Sequence, residues 1–153
     1  MKSPTETSTV ERQLAIAARP ETVWRLLTDP AQQSAWWGTA LEFEAVPGGP
    51  FRVEVIPGHI ACGEFVELAE PRRLVYTWGW EGQDDSGVPP GSSTVEIVLA
   101  AEGDGTRLTF AHRGLPTEAA VESHGHGWDN YLGRLASAAE GRDPGRDPFL
   151  DRM

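Results

Sequence analysis

Residues 34–55, SAWWGTALEFEAVPGGPFRVEV, decide the fold. Two strand-like runs, Ala40 to Ala45 and Pro50 to Ile56, flank a turn built from Pro and Gly, and so short a connection can join only antiparallel neighbours. In the second run Phe51, Val53 and Val55 alternate with Arg52, Glu54 and Ile56, and the first set is expected to face inward. Ahead of the hairpin stand Trp36 and Trp37. Consecutive residues cannot share one side of a strand or helix, so one indole is expected in the core and one at the border of a cleft. Trp37 is favoured as the core anchor and is also counted among the residues facing the cavity.

Downstream, His59 to Leu68, Leu74 to Trp80, Ser93 to Ala101 and Thr106 to Arg113 read as further strands. Turn-forming stretches fence them: IPGH, AEPRR, EGQDDSGVPPGSS and EGDGT. Upstream, Val10, Arg12, Leu14 and Ile16 alternate with Glu11, Gln13 and Ala15 as in a half-buried strand. ARPETVWRLLTDP then predicts a short helix, with Pro20 in its first turn, Glu21 at the positive dipole end, and Val23, Trp24 and Leu27 at helical spacing. AQQSAWW adds a second helical turn. The last element starts at Pro116-Thr117, with Thr117 as cap, and places Trp128, Tyr131, Leu132, Leu135 and Ala139 on one stripe. Gly125 and Gly127 each cost about 1 kcal/mol relative to alanine inside a helix, so they imply either two helical pieces or a close approach to the sheet. The expected class is α+β: a seven-stranded antiparallel sheet, two short helices after strand 1, and a long C-terminal helix on one face.

The whole chain sets limits on function. Its 153 residues suit one domain, and the formal net charge of −10 opposes nucleic acid and anionic membrane. The single cysteine, Cys62, forms no internal disulfide, and MKSPTETSTV lacks a signal-peptide pattern, so a cytoplasmic location is expected. No stretch reaches the roughly 18 apolar residues of a membrane-spanning helix. Residues 1–8 read as a flexible tail, 9–139 as the domain, and 140–153 as a C-terminal tail whose Phe149 and Leu150 are able to dock back. Six tryptophans in so short a chain need housing in a core or around a cavity.

The combination ETVWRLLTDPAQQSAWW, GGPFRVEV, GEFVELAEPRRLVYTW, TRLTF and HGWDNYLGRLA, in that order over about residues 9–139, resembles the START-like (SRPBCC) superfamily. It is most similar to the branch named after the activator of heat-shock-protein-90 ATPase. The resemblance implies a helix-grip fold, a curved sheet wrapped around the terminal helix with a cavity between them. It also implies diverse roles: carriers of lipids and small molecules, polyketide cyclases, and chaperone co-factors.

Strand alternation then proposes the cavity wall. Leu74, Tyr76, Trp78 and Trp80 share one face of their strand, and Leu108, Phe110 and His112 share one face of theirs. With Trp37 and Phe51 from the hairpin region and Trp128, Tyr131, Leu132 and Leu135 from the helix, these form the candidate binding set. Ordinary core packing is the preferred reading for Leu74, Phe110, Leu132 and Leu135. Trp78, Trp80 and Trp128 stay open between core and ligand contact, because large rings leave gaps and an indole N–H needs a polar partner. His112 reads either as a bonded strand-end histidine or as a general acid or base. His124 and His126 are two residues apart on a helix, about 200° around its axis, which suits no chelate; they are expected to be exposed. Cys62 reads as a small packed residue, and Phe65 is preferred over Glu64 as the inward residue of its strand.

No catalytic residue, cofactor or metal is assigned. The favoured function is binding of a small hydrophobic or aromatic molecule between sheet and helix. The alternatives are a cyclase- or dehydratase-type enzyme using His112, Tyr76 or Glu64, and a chaperone ATPase-activator-like interaction protein. The expected partner is a small hydrophobic ligand rather than nucleic acid or membrane, with homodimer formation left open.

Overall fold

The computed structural model describes residues 9–82 and 87–152. The tail expected at 1–8 lies outside them. Strand β1, Val10–Ile16, is followed by α1, Pro20–Thr28, and the single turn α2, Pro30–Gln33. Six strands come next: β2, Thr39–Phe43; β3, Pro50–Ile56; β4, His59–Ala69; β5, Arg73–Trp80; β6, Ser93–Glu102; and β7, Gly105–Arg113. The helix α3, Glu118–Ala139, and a 3₁₀ turn, Pro148–Arg152, complete the chain.

The sheet order is β1-β7-β6-β5-β4-β3-β2, all antiparallel, so the meander from β2 to β7 is closed on its far side by β1. Register shifts at Ala40/Glu42, Glu54/Ile56 and Phe65/Glu67 put bulges in β2, β3 and β4. Bulges bend the strands that carry them and increase their local twist.

The helices end where local chemistry dictates. Pro20 opens α1, where its missing N–H is not needed, and Asp29-Pro30 stops it; the Asp29 carboxylate then accepts from Ala31 N at 2.9 Å to cap α2. Thr117 caps α3 by accepting from Ala120 N at 3.0 Å. Gly125 and Gly127 do not split α3, which runs unbroken for 22 residues. A Cβ on Gly125 would lie 3.0 Å from the Arg12 guanidinium, which crosses from β1 to bond Asp129 of α3 at 2.6 Å. The missing side chain is the space that this crossing uses.

The buried stripe of α3 is Ala120, His124, Trp128, Tyr131, Leu132, Leu135 and Ala139, laid over Phe51, Val53, Phe65, Leu74, Tyr76, Trp78, Leu108 and Phe110 of the sheet. Burying each large side chain contributes roughly 2 kcal/mol, so this one helix–sheet contact supplies much of the stability. Phe65 is the inward residue of β4, as preferred from the sequence. The segment after α3 packs back on it. Asp147 accepts from the Tyr131 hydroxyl at 2.6 Å and from Asn130 Nδ2 at 3.1 Å, and Arg134 donates to Pro144 O at 3.3 Å.

Candidate functional site

Trp36 and Trp37 are both buried, with ring centroids 5.0 Å apart, but they do different work. Trp36 is the anchor: its indole N–H donates to Leu26 O at 2.8 Å, and its own carbonyl accepts from Arg134 Nε at 3.1 Å. The preference for Trp37 in that role is therefore corrected. Trp37 reaches inward instead and stacks on Trp78 of β5, centroids 5.8 Å apart and planes within 6°. Gly38 makes this approach possible, since a Cβ there would sit 2.0 Å from Glu54 O of β3.

Between these rings, the start of α3 and the β3–β4 turn lies a cleft of about 630 Å³. Trp37, Trp78, Trp80, Trp128 and Tyr131 border it, together with Phe149 from the C-terminal 3₁₀ turn. Its more polar rim carries His59, Glu81, Thr117 and Ser123. The volume lies within the range of small-molecule sites, roughly 300–1,000 Å³. Of the sequence candidates, Phe51, Tyr76, Phe110, His112, Leu132 and Leu135 do not line this cleft. They are buried in the packed layer behind it, where Phe51 stacks on Tyr76 at 4.3 Å and Phe110 meets Trp128 at 4.6 Å.

Two histidines hold two of the bordering indoles. Trp128 Nε1 donates to His112 Nδ1 at 3.0 Å, so His112 keeps its proton on Nε2 and gives it to Ser93 Oγ at 2.8 Å; the serine in turn donates to Trp78 O at 2.9 Å. Trp80 Nε1 donates to His124 Nε2 at 3.0 Å, and His124 Nδ1 donates to Ala120 O at 2.8 Å. The two imidazoles meet edge to face, centroids 5.2 Å apart. Burial, and then the neighbouring His124, pull the His112 pKa from 6.5 down to about 3. Both ring nitrogens are committed and the ring is sealed from the cleft, so His112 orients an indole rather than shuttling a proton.

His124 was expected to be exposed and is not: it lies one turn after Ala120 and one before Trp128 on the buried stripe. Of the two, only His126 faces solvent. The remaining two indoles of the wall are different. The N–H groups of Trp37 and Trp78 are buried with no hydrogen-bond partner. Such a donor costs about 1–3 kcal/mol when left unmade.

Where β3 and β5 approach the rim, Arg52 grips both carboxylate oxygens of Glu81 and lies 3.7 Å from Glu42. The Arg52 guanidinium holds Glu81 below the usual carboxylate range. Partial burial and then Glu81 push the Cys62 thiol up. Among the described residues no group of three or more His, Cys, Asp or Glu side chains is arranged to hold a metal ion, and no helix is long and apolar enough to cross a membrane.

A family model described as Activator of Hsp90 ATPase homolog 1-like protein matches residues 17–140, most of the chain and every element that borders the cleft except the C-terminal 3₁₀ turn. The chain belongs to this family. Its fold is shared by an AHSA1-like protein of Rhizobium etli, 45% identical, with TM-score 0.72 over 92% of this chain and 87% of that one. DynU16, from the dynemicin biosynthetic locus, is 25% identical, with TM-score 0.76 over 92% of this chain and 50% of that one. The Aha1 dimer of Colwellia psychrerythraea is 20% identical, with TM-score 0.70 over 86% of this chain and 96% of that one. Among curated proteins nothing matches. Membership of the Activator of Hsp90 ATPase homolog 1-like family agrees with the motif resemblance, and with it the helix-grip architecture.

Several wall residues escaped the sequence reading. Glu81 and Phe149 sit just beyond predicted elements. Thr117, read from the sequence only as a cap, and Ser123 lie at the start of α3, ahead of the stripe traced from Trp128. His124 carried a usable signal, its i+4 spacing to Trp128.

Proposed function

We propose that the protein binds a small, largely apolar, flat molecule in the cleft between sheet and α3. The observation that carries this reading is that four indoles, from α2–β2, β5 and α3, pack ring against ring and together border a cleft of about 630 Å³. Two of those indoles are preset by histidine acceptors, and the other two keep unanswered donors at the same wall. Buried donors without partners are the feature a packed core eliminates and a binding wall retains. Enzyme chemistry has less to stand on, because His112, the best candidate base, is bonded on both nitrogens away from the cleft.

The test is titration of 2-naphthylmethanol, followed by indole fluorescence and calorimetry. The expected result is saturable one-site binding that Ser123→Trp, an exposed helix position on the rim, weakens at least tenfold while the thermal melt is unchanged. Binding of the same strength in Ser123→Trp would place the ligand elsewhere and overturn the reading, as would no binding to the native protein.

A further inference from the structure

The reading of the cleft as a binding site leaves open what charge its occupant carries, and the wall constrains it. Among the described residues no lysine or arginine side chain borders the cleft; the charged side chain that does is Glu81, and His59 is the titratable group that shares its rim. Arg52 stands behind that carboxylate, but its single positive charge is shared between Glu81 and Glu42, so the trio carries one net negative charge. Arg52 and Glu81 are both about one-third exposed, at 35% and 32%, which puts the carboxylate at the boundary between apolar wall and water. Its chain neighbour Trp80 also lines the cleft, and the bond to His124 holds that indole in place.

We infer that the cleft selects a cationic amphiphile: a flat aromatic body against the indoles and a protonated amine or other ammonium group seated at the rim between Glu81 and the Trp80 face. Indole faces carry the negative end of the ring quadrupole and attract cations, and the adjacent carboxylate adds a full charge. Fatty acids, aryl carboxylates and phosphate esters meet no lysine or arginine among the described residues of the wall. The chain's net charge of −10 acts in the same direction at longer range.

Three probes of one skeleton separate this from the underlying reading: 2-naphthylmethylammonium, 2-naphthylmethanol and 2-naphthoate, titrated at pH 7 in low salt. The expected order is ammonium, alcohol, carboxylate, with on the order of tenfold between first and last. Raising the salt to 0.5 M compresses the order, because the rim charge is partly solvated. Glu81→Gln brings ammonium and alcohol together, whereas Glu102→Gln, a carboxylate on the β6–β7 hairpin bonded to Arg107, leaves the order intact. If the alcohol binds but the carboxylate matches or exceeds the ammonium, or if Glu81→Gln leaves the order unchanged, the charge selection is wrong and the cleft reading survives. If none of the three probes binds, both fail together. The comparison within the native protein stands even if Glu81→Gln proves unstable.

Discussion

His112 makes the structure testable through pH alone. Its folded pKa, about 3, lies below its ordinary value of 6.5, so folding favours the neutral ring. Above pH 6.5 both states are neutral there and the full stability is present. As the pH falls through the window the unfolded chain takes up a proton that the folded one refuses, and stability declines until the folded pKa is reached. Each pH unit inside the window removes about 1.4 kcal/mol. Going from pH 7 to pH 5 therefore costs roughly 2 kcal/mol from this residue, and reaching pH 3 costs on the order of 5 kcal/mol. The geometry explains the refusal: a proton on Nδ1 would face the Trp128 N–H donor, and the ring has no solvent to hydrate its charge. The assay is urea unfolding at pH 7 and pH 5 of the native protein and of His112→Gln, which keeps an amide donor and acceptor but cannot titrate. The variant is less stable at pH 7, yet its loss between the two pH values is smaller by about 2 kcal/mol. The carboxylates and the histidines not in contact with His112 are common to both proteins and cancel. Equal losses, within about 0.5 kcal/mol, would refute the buried neutral histidine.

Asp147 ties the C-terminal segment to α3 through Tyr131 and Asn130 and also accepts from Phe149 N at 2.9 Å. Asp147→Ala should lower stability by about 1–3 kcal/mol, by leaving the Tyr131 hydroxyl without its acceptor, and speed proteolytic cleavage after residue 140, read by mass spectrometry. Cys62, with its thiol pKa raised by burial and then by Glu81, should react with a disulfide reagent at pH 7.5 more slowly than free cysteine. Glu81→Gln should accelerate that reaction, and an unchanged rate would remove Glu81 as a cause.

Period-2 and helical spacing made most of the fold legible. The inward sets Phe51/Val53/Val55 and Leu108/Phe110/His112 are inward in the structure, because antiparallel strands with one covered face have only two phases to choose between. The site was legible only in part, for two physical reasons. Which member of an inward face borders empty space depends on how far apart two elements sit. Phe110 and Trp78 both face inward, yet the first is packed under Trp128 while the second reaches the cleft. The second reason is polar bonding at long range. The i+4 spacing to Trp128 puts His124 on the stripe, but nothing local to ESHGHGW reveals that it accepts a hydrogen bond from an indole 44 residues earlier. Trp36 and Trp37 show the same limit: alternation says that they diverge, but only the Leu26 carbonyl determines which one becomes the anchor.

These bonds also explain how so many indoles coexist beside a cavity. An indole at a void loses packing on one side and would turn to recover it, unless a directional bond holds its plane. His112 and His124 supply that hold for Trp128 and Trp80, with each imidazole forced into one tautomer by its second partner, Ser93 or the Ala120 carbonyl. Trp37 and Trp78 have no such bond and rely on stacking against each other, at 5.8 Å between centroids. The wall is thus rigid on the Trp80–Trp128 side and adjustable on the Trp37–Trp78 side. On the binding reading proposed above, the hydrogen-bonded pair would keep the space open and the stacked pair would be the part that shifts toward a guest.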